Sequence, residues 1–261
     1  MFGRVLIVGG SDEMIGAPTL AGTAALRMGA GLVQLAVPKA IIGACLSITP
    51  ELIGLGLGKI GKDGLLSAAE AADALVVGPG MGQSPESAER LDRLIAIEKP
   101  MLLDADGLNL LAKGKKWPAA FKAKAVLTPH PGEMARLIKL IGKETVPTDD
   151  AGRMEIARQA ASSFGQTVVL KGHRTVVTDG QRNYINQTGD STLSKAGAGD
   201  VLSGIVGCFL AQQMSPFDAA CLGVYLHGRA GELAGAKLGK RCALARDVLG
   251  MLPTAISEID R

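Results

Sequence analysis

The chain is poor in aromatic residues, with five Phe, two Tyr and one Trp in 261 positions. So few rings disfavour the stacking platforms on which single-stranded nucleic acid is read. Neither charge is in large excess. Twenty-eight Lys and Arg against 25 Asp and Glu leave +3, far from the basic stripe that duplex nucleic acid requires. No apolar run approaches the roughly 20 residues of a membrane-spanning helix. No charged leader with an apolar core precedes the first apolar run, so a secretory signal is not visible and a cytoplasmic setting is expected. Cys45, Cys208, Cys221 and Cys242 include no C-x-x-C pair. Structural thiols are the expectation, and a disulfide or metal framework is the alternative.

Glycine is abundant instead, 35 residues, roughly twice average usage. It follows no G-X-Y period, so tight turns and close backbone approaches are the natural reading. Short apolar runs end in Gly, Pro or Asp: Arg4–Gly10, Leu32–Pro38, Leu52–Leu57, Leu75–Gly80, Met101–Asp106, Ala125–His130 and Thr167–Gly172. Several are apolar throughout, the pattern of strands buried on both faces of a parallel sheet. A hairpin, Thr175–Thr178 and Asn183–Asn186, is expected around an Asp179-Gly180 turn. Helices are expected between the strands. Ser84-Pro85 and Ser215-Pro216 read as N-cap and first helical position, Asp149 to Ser163 as a further helix, and Gly239 as a stop. This alternation predicts an α/β class with a mostly parallel sheet. No linker or repeat divides residues 1–261, so one domain is expected.

Ligands of open α/β sheets lie beyond the carboxyl ends of the strands, and the small and polar residues collect there. The turn Gly9-Gly10-Ser11, followed by Gly16-Ala17, fails the G-x-G-x-x-G spacing. Gly58-Lys59 is followed by Ile60, so it fails the phosphate-loop pattern too. The run Gly78-Pro79-Gly80-Met81-Gly82 lets a backbone approach a ligand, or is simply a tight turn. In Asp104-Ala105-Asp106-Gly107-Leu108-Asn109, two carboxylates at strand spacing point the same way. They would hold Mg²⁺ through water, orient a hydroxyl, or cap a helix. His130 stands between two prolines, rigidly held, with Glu133 in the next helical turn. Lys171-Gly172-His173-Arg174-Thr175 places three basic side chains on one turn, suited to phosphate or to solvent.

The strongest element is Ala196-Gly197-Ala198-Gly199-Asp200, entering a long apolar helix. Free N–H groups at a helix N-terminus form an anion site. Asp200 in that first turn is a cap, or the base that deprotonates a hydroxyl attacking phosphorus.

Nearly end to end and in order, these motifs resemble the ADP/ATP-dependent NAD(P)H-hydrate dehydratases, a branch of the ribokinase-like superfamily. The G-x-G-D turn marks the superfamily. The Gly78–Gly82 turn and the block Pro129-His130-Pro131-Gly132-Glu133 mark the branch. The resemblance implies a ribokinase-like fold, a mostly parallel sheet between helical layers. It implies repair of NADHX and NADPHX to NADH and NADPH with ADP or ATP as co-substrate and Mg²⁺ as cofactor. Carried over residue by residue, Asp200 is the base and contacts the hydrate. Lys171, Gly172, His173, Arg174, Thr175, Gly197 and Gly199 contact the adenine nucleotide. Ala17, Gly80, Gly82, Asp106, Asn109 and His130 line the hydrate. A homotetramer is implied, with no nucleic-acid or membrane partner. The alternatives are a small-molecule kinase of the hydroxyethylthiazole or hydroxymethylpyrimidine type, or a non-catalytic nucleotide sensor.

Overall fold

The computed structural model describes residues 2–62, 64–114 and 120–259. Among these residues nine strands form one sheet: β1 (Arg4–Val8), β2 (Leu32–Pro38), β3 (Ile53–Leu57), β4 (Ala74–Val77), β5 (Met101–Leu103), β6 (Ala125–Leu127), β7 (Thr167–Leu170), β8 (Val176–Thr178) and β9 (Asn183–Ile185). Their order is β3-β2-β1-β4-β5-β6-β7-β8-β9. Pairings from β3 through to β7 are parallel, and β7-β8 and β8-β9 are antiparallel. The seven parallel strands match the seven apolar runs. The hairpin falls within its expected bounds, with residues 179–182 connecting the strands. Thr178 pairs with Asn183, and Asp179 Oδ1 accepts from the Gln181 and Arg182 amides.

The helices are α1 (Gly16–Arg27), α2 (Ile42–Ile48), α3 (Leu65–Ala71), α4 (Pro85–Leu94), α5 (Asp106–Lys113), α6 (Pro131–Leu137), α7 (Asp150–Phe164), α8 (Ala198–Ala211), α9 (Pro216–Leu238) and α10 (Ala245–Ser257). Ser84 and Ser215 cap their helices as expected, and Asp149, expected inside its helix, caps α7. Each accepts an amide of the following turn, which satisfies an otherwise orphaned donor.

Side chains of a strand alternate between faces, and the core divides accordingly. Val5, Ile7, Val76, Leu102 and Val126 pack with α1, α8, α9 and α10. Leu6, Val8, Val77, Leu103 and Leu127 pack with α3 to α7. The sheet therefore lies between two helical layers.

Two features of this fold position the strand ends and the turn before α8. The sheet winds outward in both directions from β1 and β4, so the topological switch point lies between them. Helix α8 is buried along most of its length. A Cβ on Gly204 would lie 2.0 Å from the Ala21 carbonyl oxygen, so α8 packs backbone to backbone on α1. That contact fixes its N-terminus against the strand ends. All four cysteines are free. Among the described residues, no helix is long and apolar enough to cross a membrane.

Candidate active site

Gly197 stands at the N-cap of α8, and its φ of +88° is the left-handed region that glycine favours. A Cβ there would also meet Leu20 and Ala245 at 2.8 and 3.0 Å. Asp200 follows in the first turn, beside amides that have no intrahelical acceptor. Burial and the nearby Asp104 carboxylate push the Asp200 carboxyl up to about 7, and Lys171 only partly offsets them. A carboxylate that changes protonation near neutral pH suits general-base work.

Beneath this turn lies a buried ion network. Asp104, 2% exposed, accepts from Lys171 Nζ at 2.6 Å and from the Ser203 hydroxyl at 2.8 Å. Lys171 Nζ also lies 3.8 Å from Glu133 Oε2. Burial disfavours the Lys171 charge, but the Asp104 and Glu133 carboxylates outweigh it and hold Lys171 protonated. Burial raises Glu133 above the usual carboxylate range, against the attraction of Lys171. A Cβ on Gly199 would lie 3.5 Å from Lys171 Nζ. The Gly197–Asp200 turn thus rests directly on the Asp104–Lys171 pair.

The two aspartates after β5 do not point the same way. The strand ends at Leu103, and Ala105 has a φ of +48°, which breaks the alternation between them. Asp104 turns inward to Lys171. Asp106 turns to the neighbouring loop and accepts from the Gly82 amide at 3.0 Å and the Gln83 side chain at 2.9 Å. It opens α5 without capping it.

His130 is a helix cap. Its Nδ1 accepts from the Gly132 and Glu133 amides, and Glu133 accepts from the His130 amide at 2.8 Å. The basic turn after β7 also differs from its expected form. Lys171 points inward, and Arg174 pairs with Asp150 at 2.6 Å. Arg153, buried on α7, shapes the turn by donating to the carbonyls of Leu170, Lys171 and His173. It was missed in the sequence, where its signal is a lone cation on the face shared by Ile156, Ala157 and Ala160.

A cavity of about 360 Å³ opens beside this turn. Lys171, Gly172, His173, Arg174, Thr175 and Gly199 line it, and Gly197 does not. The strap from Asn186 to Ser194 and His227 of α9 also line it. Asn186 ties the strap to α9 by donating to the Val224 carbonyl at 3.0 Å. Burial depresses His227 to about 4, so its imidazole is neutral at pH 7.

The six residues expected at the hydrate lie on α1, on the turn after β4, on α5 and at the start of α6. Gly80 and Ala17 meet: a Cβ on Gly80 would lie 3.2 Å from the Ala17 Cβ. Gly82 and Asp106 are hydrogen-bonded, and Asn109 accepts from Arg136 at 3.0 Å. His130 is exposed at the start of α6. Gly82 lines a hollow of about 380 Å³ at the ends of β1 to β4, the switch point of the sheet. The ends of β4 to β6 and the cavity beside β7 thus flank Asp200. This arrangement suits transfer of a phosphoryl group between two bound molecules.

The sequence profile of the NAD(P)H-hydrate dehydratase family matches residues 5–254. A bifunctional NAD(P)H-hydrate repair enzyme of Moorella thermoacetica is 40% identical, over 100% of this chain and 50% of its own length. The chain spans about half the length of the first curated relatives it matches. An ADP-dependent (S)-NAD(P)H-hydrate dehydratase of Neisseria meningitidis is 38% identical, over 89% of this chain and 77% of its own. The ADP/ATP-dependent NAD(P)H-hydrate dehydratase of Bacillus subtilis, co-crystallized with ATP/Mg²⁺, superposes with a TM-score of 0.83 at 30% identity. It covers 98% of this chain and 90% of its own. A hydroxyethylthiazole kinase of Pyrococcus horikoshii shares the fold at a TM-score of 0.70 and 18% identity, over 97% of this chain and 88% of its own. The fold is ribokinase-like.

Proposed function

The chain belongs to the NAD(P)H-hydrate dehydratase family, and from that premise we propose that it converts hydrated NADH and NADPH back to the working cofactors, using ADP or ATP. The observation that carries this reading is Asp200, a carboxyl raised to about 7 in the first turn of a buried helix. Hydroxide is a poor leaving group, and phosphorylating the C6 hydroxyl makes it a good one. Asp200 takes the hydroxyl proton. The oxygen attacks the terminal phosphorus of ADP or ATP, and AMP or ADP leaves. The amides of the Gly197–Asp200 turn stabilise the charge on the transferring group. The ring nitrogen's lone pair then expels inorganic phosphate. Loss of a C5 proton restores the double bond between C5 and C6.

Lys171 to Thr175, Gly197 and Gly199 are assigned to the nucleotide side. Ala17, Gly80, Gly82, Asp106, Asn109 and His130 are assigned to the hydrate side. Lys171 acts there through the Asp104 pair rather than as a free phosphate ligand. His130 acts through the exposed edge of its ring, since Nδ1 is used as a cap. Among the described residues, no three ligating side chains gather as a resident metal site. Asp104 and Glu133 already face Lys171. The donor set therefore fits a Mg²⁺ that arrives with the nucleotide, held by its phosphates and at most Asp200. Such an ion would offset phosphate charge. The setting proposed is a cytoplasmic homotetramer, checked by light scattering on the eluted protein.

The test is absorbance at 340 nm when protein, Mg²⁺ and either ADP or ATP are added to chemically prepared NADH hydrate. A nucleotide-dependent rise with release of inorganic phosphate is expected. A stable phosphorylated product would point to a kinase. Nucleotide binding with a flat trace would point to a sensor.

A further inference from the structure

We infer that the basic hollow between α5 and α6 receives a phosphate monoester of the substrate, the 2′-phosphate that separates hydrated NADPH from hydrated NADH. This deepens the dehydratase reading and rests on it. Lys113, Arg136 and Lys139 line a hollow of about 410 Å³ together with the amides Gln83 and Asn109. None of the three cations has a carboxylate partner among the described residues. Their polar contacts are neutral: Lys113 donates to Gln83 Oε1 at 2.7 Å, and Arg136 to Asn109 Oδ1 at 3.0 Å. The nearest acid along that chain of contacts, Asp106, is occupied by Gly82 and Gln83. Three uncompensated cations in one concavity attract a dianion, and Arg adds a fork that matches phosphate oxygens.

The hollow is joined to the hydrate side of the site. Gln83 lines both it and the glycine-rich hollow at the switch point. The contacts Asp106–Gln83–Lys113 and Asn109–Arg136 lead from residues assigned to the hydrate directly to the cations. None of the residues lining the hollow belongs to the Gly197–Asp200 turn. A monoester phosphate on the adenosine ribose, far from the reacting ring, fits that place better than the central pyrophosphate, which both hydrates carry.

The test compares NADP⁺ and NAD⁺ by titration calorimetry with ADP present, and the two hydrates by kcat/KM. The proteins are wild type and the triple variant Lys113→Gln/Arg136→Gln/Lys139→Gln. Wild type should bind NADP⁺ roughly ten-fold or more tightly than NAD⁺, with the gap shrinking as salt rises. The triple variant should lose that preference while keeping its kcat/KM on hydrated NADH. Lys139→Glu alone, which removes neither of the contacts to Gln83 and Asn109, should narrow the gap in the same direction. Equal binding of the two dinucleotides by wild type overturns the inference. So does an equal loss on both in the variants, which would assign the hollow to the pyrophosphate or to the fold. If neither hydrate is turned over but NADP⁺ discrimination follows the three cations, the dehydratase reading fails and the phosphate site stands.

Discussion

On the β7 side of Asp200, side chains set the geometry; on the β1–β4 side, their absence does. The turn after β7 is held by Arg153 on three carbonyls, by Arg174 on Asp150 and by Lys171 on Asp104. The turn after β4 is held by backbone meeting backbone. A Cβ on Gly78 would lie 1.9 Å from the Asp104 carbonyl oxygen, and one on Gly9 would lie 2.2 Å from that of Pro79. Charge pairs can loosen and re-form as a nucleotide enters and leaves. A close-packed backbone cannot yield without moving a strand. Under the proposed function, the exchanging co-substrate would meet the adaptable flank, and the hydrate the rigid one. Asp104 belongs to both, its carbonyl under Gly78 and its carboxylate on Lys171.

The sharpest test acts where the flanks meet. Asp200→Asn should lower kcat/KM by about 10² to 10⁴, as loss of a general base does, with nucleotide affinity retained by calorimetry. The same variant should be more stable than wild type above pH 7. The folded state holds the Asp200 proton up to about 7, so ionising it opposes folding over the window from the ordinary Asp range to pH 7. The gain in Tm should shrink to nothing towards pH 4.

The rigid flank should be the more fragile. Gly78→Ala should cost about 3 kcal/mol or more in urea unfolding, from a backbone clash at a φ of +123°. Lys171→Met should cost about 2 kcal/mol, less than a fully buried pair because Lys171 keeps 20% of its side chain exposed. Gly172→Ala on the adaptable flank should cost about 1 to 2 kcal/mol, from a φ of +141° and from displacing the Arg153 guanidinium 2.9 Å away, with no backbone atom in the way. Arg174→Gln breaks a half-exposed pair and should move stability by under about 1 kcal/mol. Gly172→Ala costing as much as Gly78→Ala would erase the distinction between the flanks.

Much of this frame was legible in the sequence. Apolar runs marked the strands, and Ser84, Asp149 and Ser215 marked helix starts, because both signals are local. The Gly197–Asp200 turn was legible for the same reason. What was not legible depends on distant pairing. Asp104 meets Lys171 across 67 positions and Ser203 across 99. The sequence therefore read Lys171 as a surface phosphate ligand and both aspartates as facing one way. Ala105, a non-glycine at positive φ, has no sequence signature that would have separated them. The strap from Asn186 to Ser194 lacks periodicity, and His227 is hidden in an apolar helical run.

The measurement that bears most directly on Asp200 as the base, tuned by its buried neighbours, is the pH dependence of kcat/KM at 340 nm in wild type and Asp104→Asn. Wild-type activity should fall as pH drops through about 7, because burial and the Asp104 charge raise the Asp200 carboxyl to that value. Removing the Asp104 charge should move this acid limb to lower pH. A wild-type profile flat through neutrality, or a limb that stays in place in the variant, would contradict the account.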